Sequence, residues 1–91
     1  MTTAQQPRED AETIHAWVTR QVAHYVKVSP ENIDPDESFT AYGLDSLYAV
    51  ALCGDIEDHF NVSVPATLVW DHDPVTRLAD AVAAFLRKAQ T

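Results

Sequence analysis
Ser46 places a hydroxyl in the stretch Gly43-Leu44-Asp45-Ser46-Leu47, where a loop gives way to a helix. Helix N-termini present unpaired amides and partial positive charge. A phosphate ester on that hydroxyl is therefore electrostatically tolerated, and Ser46 is a candidate attachment point for a phosphate-linked group. A second reading is open at this point: Ser46 itself caps the helix and has no other role. A serine nucleophile needs a base held by a third group. The four histidines His15, His24, His59 and His72 are scattered, and Gly43-x-x-Ser46 lacks the spacing of a nucleophile elbow. Asp34, Asp36, Ser38 and Asp45 fall near ligand positions of a calcium loop, but Phe39 stands where glycine is needed and Asp45 replaces the bidentate glutamate. Cys53 has no zinc-ligand spacing with the histidines and is expected in the core. No catalytic residue and no metal ligand is assigned, which argues against an autonomous enzyme.

The bulk composition agrees. The chain has 91 residues, one small domain with little room for a substrate pocket beside its core. Its net charge of −8, from 14 acidic and 6 basic side chains, repels nucleic acid and anionic membrane and attracts basic protein surfaces. The same charge also serves solubility. A single cysteine excludes an intrachain disulfide. The first residues contain no apolar signal-peptide core, and no apolar run reaches transmembrane length, so a cytoplasmic protein is expected. Asn61-Val62-Ser63 matches a glycosylation acceptor only by chance under that reading.

The elements that position Ser46 follow from periodicity. Residues 1–9 are polar and are expected to form a disordered tail. Asp10 is a plausible cap for a first helix over residues 10–26, whose stripe is Ile14, Trp17, Val18, Val22 and Tyr25. Residues 27–44 form a long connection, with Pro30, Pro35 and Gly43 as breakers and a short helical turn expected at Ser29-Pro30-Glu31. A connection of that length calls for anchors; Ile33, Phe39 and Leu44 are assigned that role. The second helix spans 46–60, with Asp45 as cap and Asn61 as stop. Residues 65–70 read as a short third helix, and Asp71-His72-Asp73 breaks the chain again. Asp73 as cap and Pro74 at the first helical position start the last helix, whose stripe is Val75, Leu78, Ala79, Val82, Phe85 and Leu86. The expected fold is all-α, a four-helix bundle of three long helices and one short third helix, over residues 10–88 with a short tail at 89–91.

The second helix has two apolar faces. At about 100° per residue, Ala49, Leu52, Cys53, Ile56 and Phe60 form the core face. Leu47, Val50, Ala51 and Gly54 fall roughly opposite, with Asp55, Glu57 and Asp58 interspersed or flanking. Deep burial of the whole helix is one explanation. A docking face with apolar contacts inside an acidic surround is the other. Glycine inside a helix costs about 0.5–1 kcal/mol relative to alanine. Close approach of a partner at Gly54 would account for that loss, and so would packing against the protein's own third helix.

The stretch Phe39-Thr40-Ala41-Tyr42-Gly43-Leu44-Asp45-Ser46-Leu47 resembles the attachment motif of acyl carrier proteins, in which Asp-Ser-Leu follows Gly-Leu at the start of the second helix. Ile56-Glu57-Asp58-His59-Phe60 is similar to the acidic end of the family's second helix. Residues 64–75 are similar to its third helix and the turn into the fourth. The resemblance covers about residues 10–88. The Gly-Leu-Asp-Ser-Leu form and the Thr67-Leu68-Val69-Trp70-Asp71-His72 segment look like polyketide-synthase carriers. Two positions depart from the family pattern: Gly54, usually bulkier, and Asp73-Pro74-Val75, which replaces a commoner Pro-Thr pair.

The resemblance implies that a phosphopantetheinyl transferase moves a 4′-phosphopantetheine arm from coenzyme A onto Ser46, and that the arm's thiol then holds an acyl group as a thioester. It implies that Asp45 helps bind magnesium during the transfer and that Leu47 contacts the transferase and partner enzymes. The expected partners are that transferase, an acyl-loading enzyme (acyltransferase or acyl-AMP ligase) and a ketosynthase or other acyl-processing enzyme of polyketide, fatty-acid or related biosynthesis. Docking is expected on Leu47, Val50, Ala51, Gly54, Asp55, Glu57 and Asp58 of a mainly monomeric protein. Two other functions remain open: a non-covalent acidic adaptor that uses the same strip without an arm, and a peptidyl carrier of a nonribosomal peptide pathway. The Met1 start is expected of a discrete carrier, although an excised module would read alike.

Overall fold
The computed structural model describes residues 11–89. They form α1 (Ala11–Val26), α2 (Ser46–Phe60), the short α3 (Leu68–Asp71) and α4 (Val75–Ala89), with 3₁₀ turns at Pro30–Asn32 and Phe39–Tyr42. Among the described residues there is no strand, and the architecture is the all-α four-helix bundle expected from the sequence. The tail at 1–9, the cap at Asp10 and residues 90–91 lie outside the described residues. α4 continues through Ala89, one residue past the expected domain end.

Each long helix buries the stripe its periodicity predicts. α1 contributes Ile14, Trp17, Val18, Val22 and Ala23, α2 contributes Ala49, Leu52, Cys53 and Ile56, and α4 contributes Val75, Leu78, Ala79, Val82 and Leu86. Tyr25, Phe60 and Phe85 are partly buried against this core. Burying one such aliphatic side chain contributes about 1.5–3 kcal/mol. No polar or charged side chain is buried among the described residues, so the core carries no desolvated charge. α1 and α2 run antiparallel: Tyr25, near the end of α1, meets Tyr48 and Asp55, whereas Trp17 meets His59 and Phe60.

Both helix ends that flank the long excursions close on a left-handed residue. Lys27 has φ 62° and Asn61 has φ 57°. The next amides, Val28 and Val62, donate back to the Ala23 and Glu57 carbonyls at 3.1 and 3.3 Å, which satisfies carbonyls that the helix leaves free. Residues 61–67 then retrace α2. The Val64 amide donates to the Glu57 carboxylate at 2.9 Å, and Ala66 reaches the Cys53 sulfur. The chain is thus carried back toward the start of α2, where α4 begins.

Ile33, Phe39 and Leu44 are all buried, as the anchor reading requires. The connection is more structured than the sequence suggests, because Ser38 caps a second 3₁₀ turn at Phe39–Tyr42. Its other ties are polar, one within the connection and one to the distant start of α4. The Asp34 amide donates to the Tyr42 hydroxyl at 2.6 Å. The Thr76 amide and hydroxyl both donate to the Pro35 carbonyl at 3.1 Å.

Two boundaries differ from expectation. α3 begins at Leu68 rather than Pro65 and takes in Asp71, because the Pro65 carbonyl closes a turn on the Leu68 amide at 3.0 Å before helical bonding begins. α4 begins at Val75, with the Pro74 carbonyl accepting from the Leu78 amide at 3.0 Å. Asp73 does not cap it as expected; its carboxylate reaches across to Ser38 and Phe39.

Candidate attachment and docking site
Three residues in succession set Ser46. Gly43 ends the second 3₁₀ turn at φ 84°, a conformation that glycine adopts without strain. Leu44 is buried and fixes the chain to the core. Asp45 is extended, and its Oδ1 accepts from the Tyr48 amide at 2.9 Å. Asp45 is therefore the cap, which removes the reading that gave this role to Ser46. Ser46 is the first helical residue, it is exposed, and its side chain makes no hydrogen bond among the described residues.

This arrangement fits an arm joined through a phosphate. The hydroxyl is accessible, it stands at the positive end of a 15-residue helix, and no side chain competes for it. No histidine pairs with Ser46, since His59 stacks on Trp17 with ring centroids 4.6 Å apart. His72 lies against the Leu68 carbonyl. Asp45 uses only Oδ1 in that cap bond.

The strip below Ser46 is open. Leu47 is 73% exposed and Val50 52%, the two most exposed large hydrophobic side chains among the described residues. Ala51 is exposed and Gly54 half-buried. A Cβ at Gly54 would meet nothing within 4 Å. Packing against the protein's own third helix therefore does not require glycine there, and deep burial of the whole helix does not explain the strip.

The three acids of this helix divide. Asp55 accepts from the Tyr25 hydroxyl at 2.5 Å and so ties α2 to α1. That bond, with burial, pushes the Tyr25 hydroxyl up to about 12. Glu57 holds the Val64 amide. Asp58 is exposed and unengaged among the described residues. Four residues beyond Gly54, it lies on the same side of the helix. Cys53 faces the core, and burial raises its thiol, partly offset by the Val69 and Leu68 amides.

A further signal was present in the sequence and is more specific than the net charge. Residues 28–76 hold ten of the fourteen acidic side chains and no lysine or arginine. That segment comprises the first connection, α2 with Ser46 at its head, and α3. Arg20, Lys27, Arg77, Arg87 and Lys88 all lie on α1, α4 or the end of α1. The acidic side chains are thus concentrated on the segment between α1 and α4, and the basic ones among the described residues on those two helices and the residue that follows α1. Among the described residues no helix is long and apolar enough to cross a membrane, and no cluster suits a metal ion.

Residues 16–82 match the family described as "Phosphopantetheine attachment site". The chain is 37% identical over 79 residues to erythronolide synthase EryA3 of Saccharopolyspora erythraea, an alignment that covers 87% of this chain and 2% of that protein. It is 28% identical over 86 residues to the acyl carrier protein TtuC of Teredinibacter turnerae, covering 92% of this chain and 99% of that one. A solved free-standing peptidyl carrier protein of Acinetobacter baumannii superposes with a TM-score of 0.79 at 38% identity, covering 85% of this chain and 96% of the other. Against the polyketide synthases, the chain spans 5% or less of their length. Proteins of this fold and family are carriers rather than catalysts. The chain belongs to the phosphopantetheine-attachment family of carrier proteins and is similar over most of its length to segments of polyketide synthases.

Proposed function
We propose that Ser46 bears the arm and that the chain delivers acyl thioesters to polyketide-type or related biosynthetic enzymes. The free Ser46 hydroxyl at the head of α2, with Asp45 taking the cap role, is the observation that carries this reading. In the loading step the Ser46 oxygen forms a bond to the β-phosphorus of coenzyme A. The pyrophosphate link breaks and adenosine 3′,5′-bisphosphate leaves. The arm supplies a thiol that holds the acyl group as a thioester. The protein's own part is to present Ser46 and to dock, which raises the effective concentration of the tethered acyl group near a partner.

The docking face we assign is Leu47, Val50, Ala51 and Gly54, with Asp58 as its free charge. Asp55 and Glu57 support the helix from behind through Tyr25 and Val64. The transferase, an acyl-loading enzyme and a ketosynthase or other acyl-processing enzyme are the partners this reading requires. Each should present an apolar patch with a basic rim, and docking should weaken as salt screens the field. The protein acts as a cytoplasmic monomer in this account. The test is incubation of the apo protein with coenzyme A and a broad-specificity transferase. A stable adduct on Ser46 supports the reading, and none would leave the acidic-adaptor function standing.

The likeness to a peptidyl carrier favours a second reading, in which the arm holds an aminoacyl group. Loading assays with acyl and aminoacyl donors on the holo protein separate the two.

A further inference from the structure
Asp73 stands just before the last helix but does not serve it as a cap. Its two oxygens accept from the Ser38 hydroxyl at 2.8 Å and from the Phe39 amide at 2.9 Å, across 35 and 34 residues of sequence. Asp73 is half-buried, and bonds to a carboxylate are stronger than neutral ones. They fall on the first residues of the 3₁₀ turn that leads to Ser46. Phe39 is fully buried, and its carbonyl accepts from the Leu44 amide at 3.2 Å. Leu44 precedes the cap residue Asp45. From Asp73 to the start of α2 there is thus one short path: carboxylate, Phe39, Leu44, Asp45, Ser46.

We propose that Asp73 is a positioning residue for modification of Ser46, latching the Phe39–Tyr42 turn to the entry of α4 so that the serine and Leu47 are presented in one arrangement. The inference rests on attachment at Ser46. Without the latch, the turn keeps its Phe39 anchor but loses the bonds that orient its first residues. A smaller fraction of molecules then presents the docking arrangement, and apparent affinity falls by that fraction. Once docked, the enzyme itself holds the serine. The loss is therefore expected in KM and not in kcat.

The experiment measures transfer from coenzyme A to the full-length apo protein by a broad-specificity transferase, with helicity checked by circular dichroism. Asp73→Ala should raise KM for the carrier about tenfold, with kcat within about twofold. Asp73→Asn should recover most of the loss, because its oxygen can accept from the Phe39 amide while its amide nitrogen donates to the Ser38 oxygen. Ser38→Ala removes one of the two bonds and should raise KM about threefold, a milder lesion that remains informative if Asp73→Ala unfolds. Thr76→Val removes a tie at Pro35 and Asp36, farther from Ser46, and should leave KM near its starting value. Unchanged KM in folded Asp73→Ala or in Ser38→Ala would overturn the proposal, as would an equal rise in Thr76→Val. Absence of transfer to the unaltered protein would instead overturn attachment at Ser46.

Discussion

The Tyr25 hydroxyl donates to Asp55 Oδ2 at 2.5 Å, joining the last turns of α1 to the middle of α2. This bond holds the back of α2 while its front, with Leu47 and Val50, stays open. A hydrogen bond to a charged partner contributes about 1.5–3 kcal/mol, discounted here because both groups are only partly buried. Tyr25→Phe should therefore lower unfolding free energy by about 1–2 kcal/mol. The sign of its pH dependence follows from the hydroxyl, which is raised from 10.0 to about 12. A raised group adds stability that is present below the unfolded value and lost as pH rises through the folded one. Urea unfolding across that alkaline window should show a decline in the native protein that Tyr25→Phe lacks. Parallel curves would show that the bond contributes nothing in solution.

Leu47→Glu and Val50→Glu test the open strip. Both side chains are exposed and touch little of the core, so either change should alter stability by less than about 0.5 kcal/mol. Each should raise KM for a transferase severalfold, since a carboxylate replaces an apolar contact. Marked unfolding by either substitution would place the strip in the core.

Gly54→Ala separates stability from function. The space at Gly54 is open within the protein, so the methyl group meets no clash. The helix should gain about 0.5–1 kcal/mol. If a partner closes over this position, the stabilised variant should also show weaker docking. A stabilised protein with unaltered partner kinetics would remove Gly54 from the docking face.

Much of this arrangement is legible in the sequence, and most of the exceptions depend on contacts distant along the chain. The stripes of Ile14 to Val22 and Val75 to Leu86 are set by local periodicity, and the structure buries them as expected. Asp45 as cap and Asn61 as stop are likewise local decisions. The role of Asp73 is not local. A carboxylate before a proline at a helix start has the same appearance whether it caps that helix or reaches a turn more than thirty residues away. Asp55 and Glu57 also read as free surface charges until Tyr25 and the Val64 amide are brought against them. The Phe39–Tyr42 turn is not legible locally, because its cap, Ser38, sits among so many turn formers that no single element stands out. The gathering of acids between residues 28 and 76 needed only a count along the chain.

Cys53 gives a test with a simple readout. It is buried, and burial raises its thiol. The thiolate is the reactive form, so the folded apo protein should react slowly with a disulfide reagent at neutral pH. The holo protein should show one rapid thiol, that of the arm. A rapid thiol in the folded apo protein would show that the core around Cys53 opens readily.

Attachment at Ser46 is tested most directly by intact-protein mass spectrometry after incubation with coenzyme A and a broad-specificity transferase. The account predicts a gain of about 340 Da, the mass of a single phosphorylated arm, and no gain in Ser46→Ala. No gain in the unaltered protein, or a gain that persists in Ser46→Ala, would contradict it.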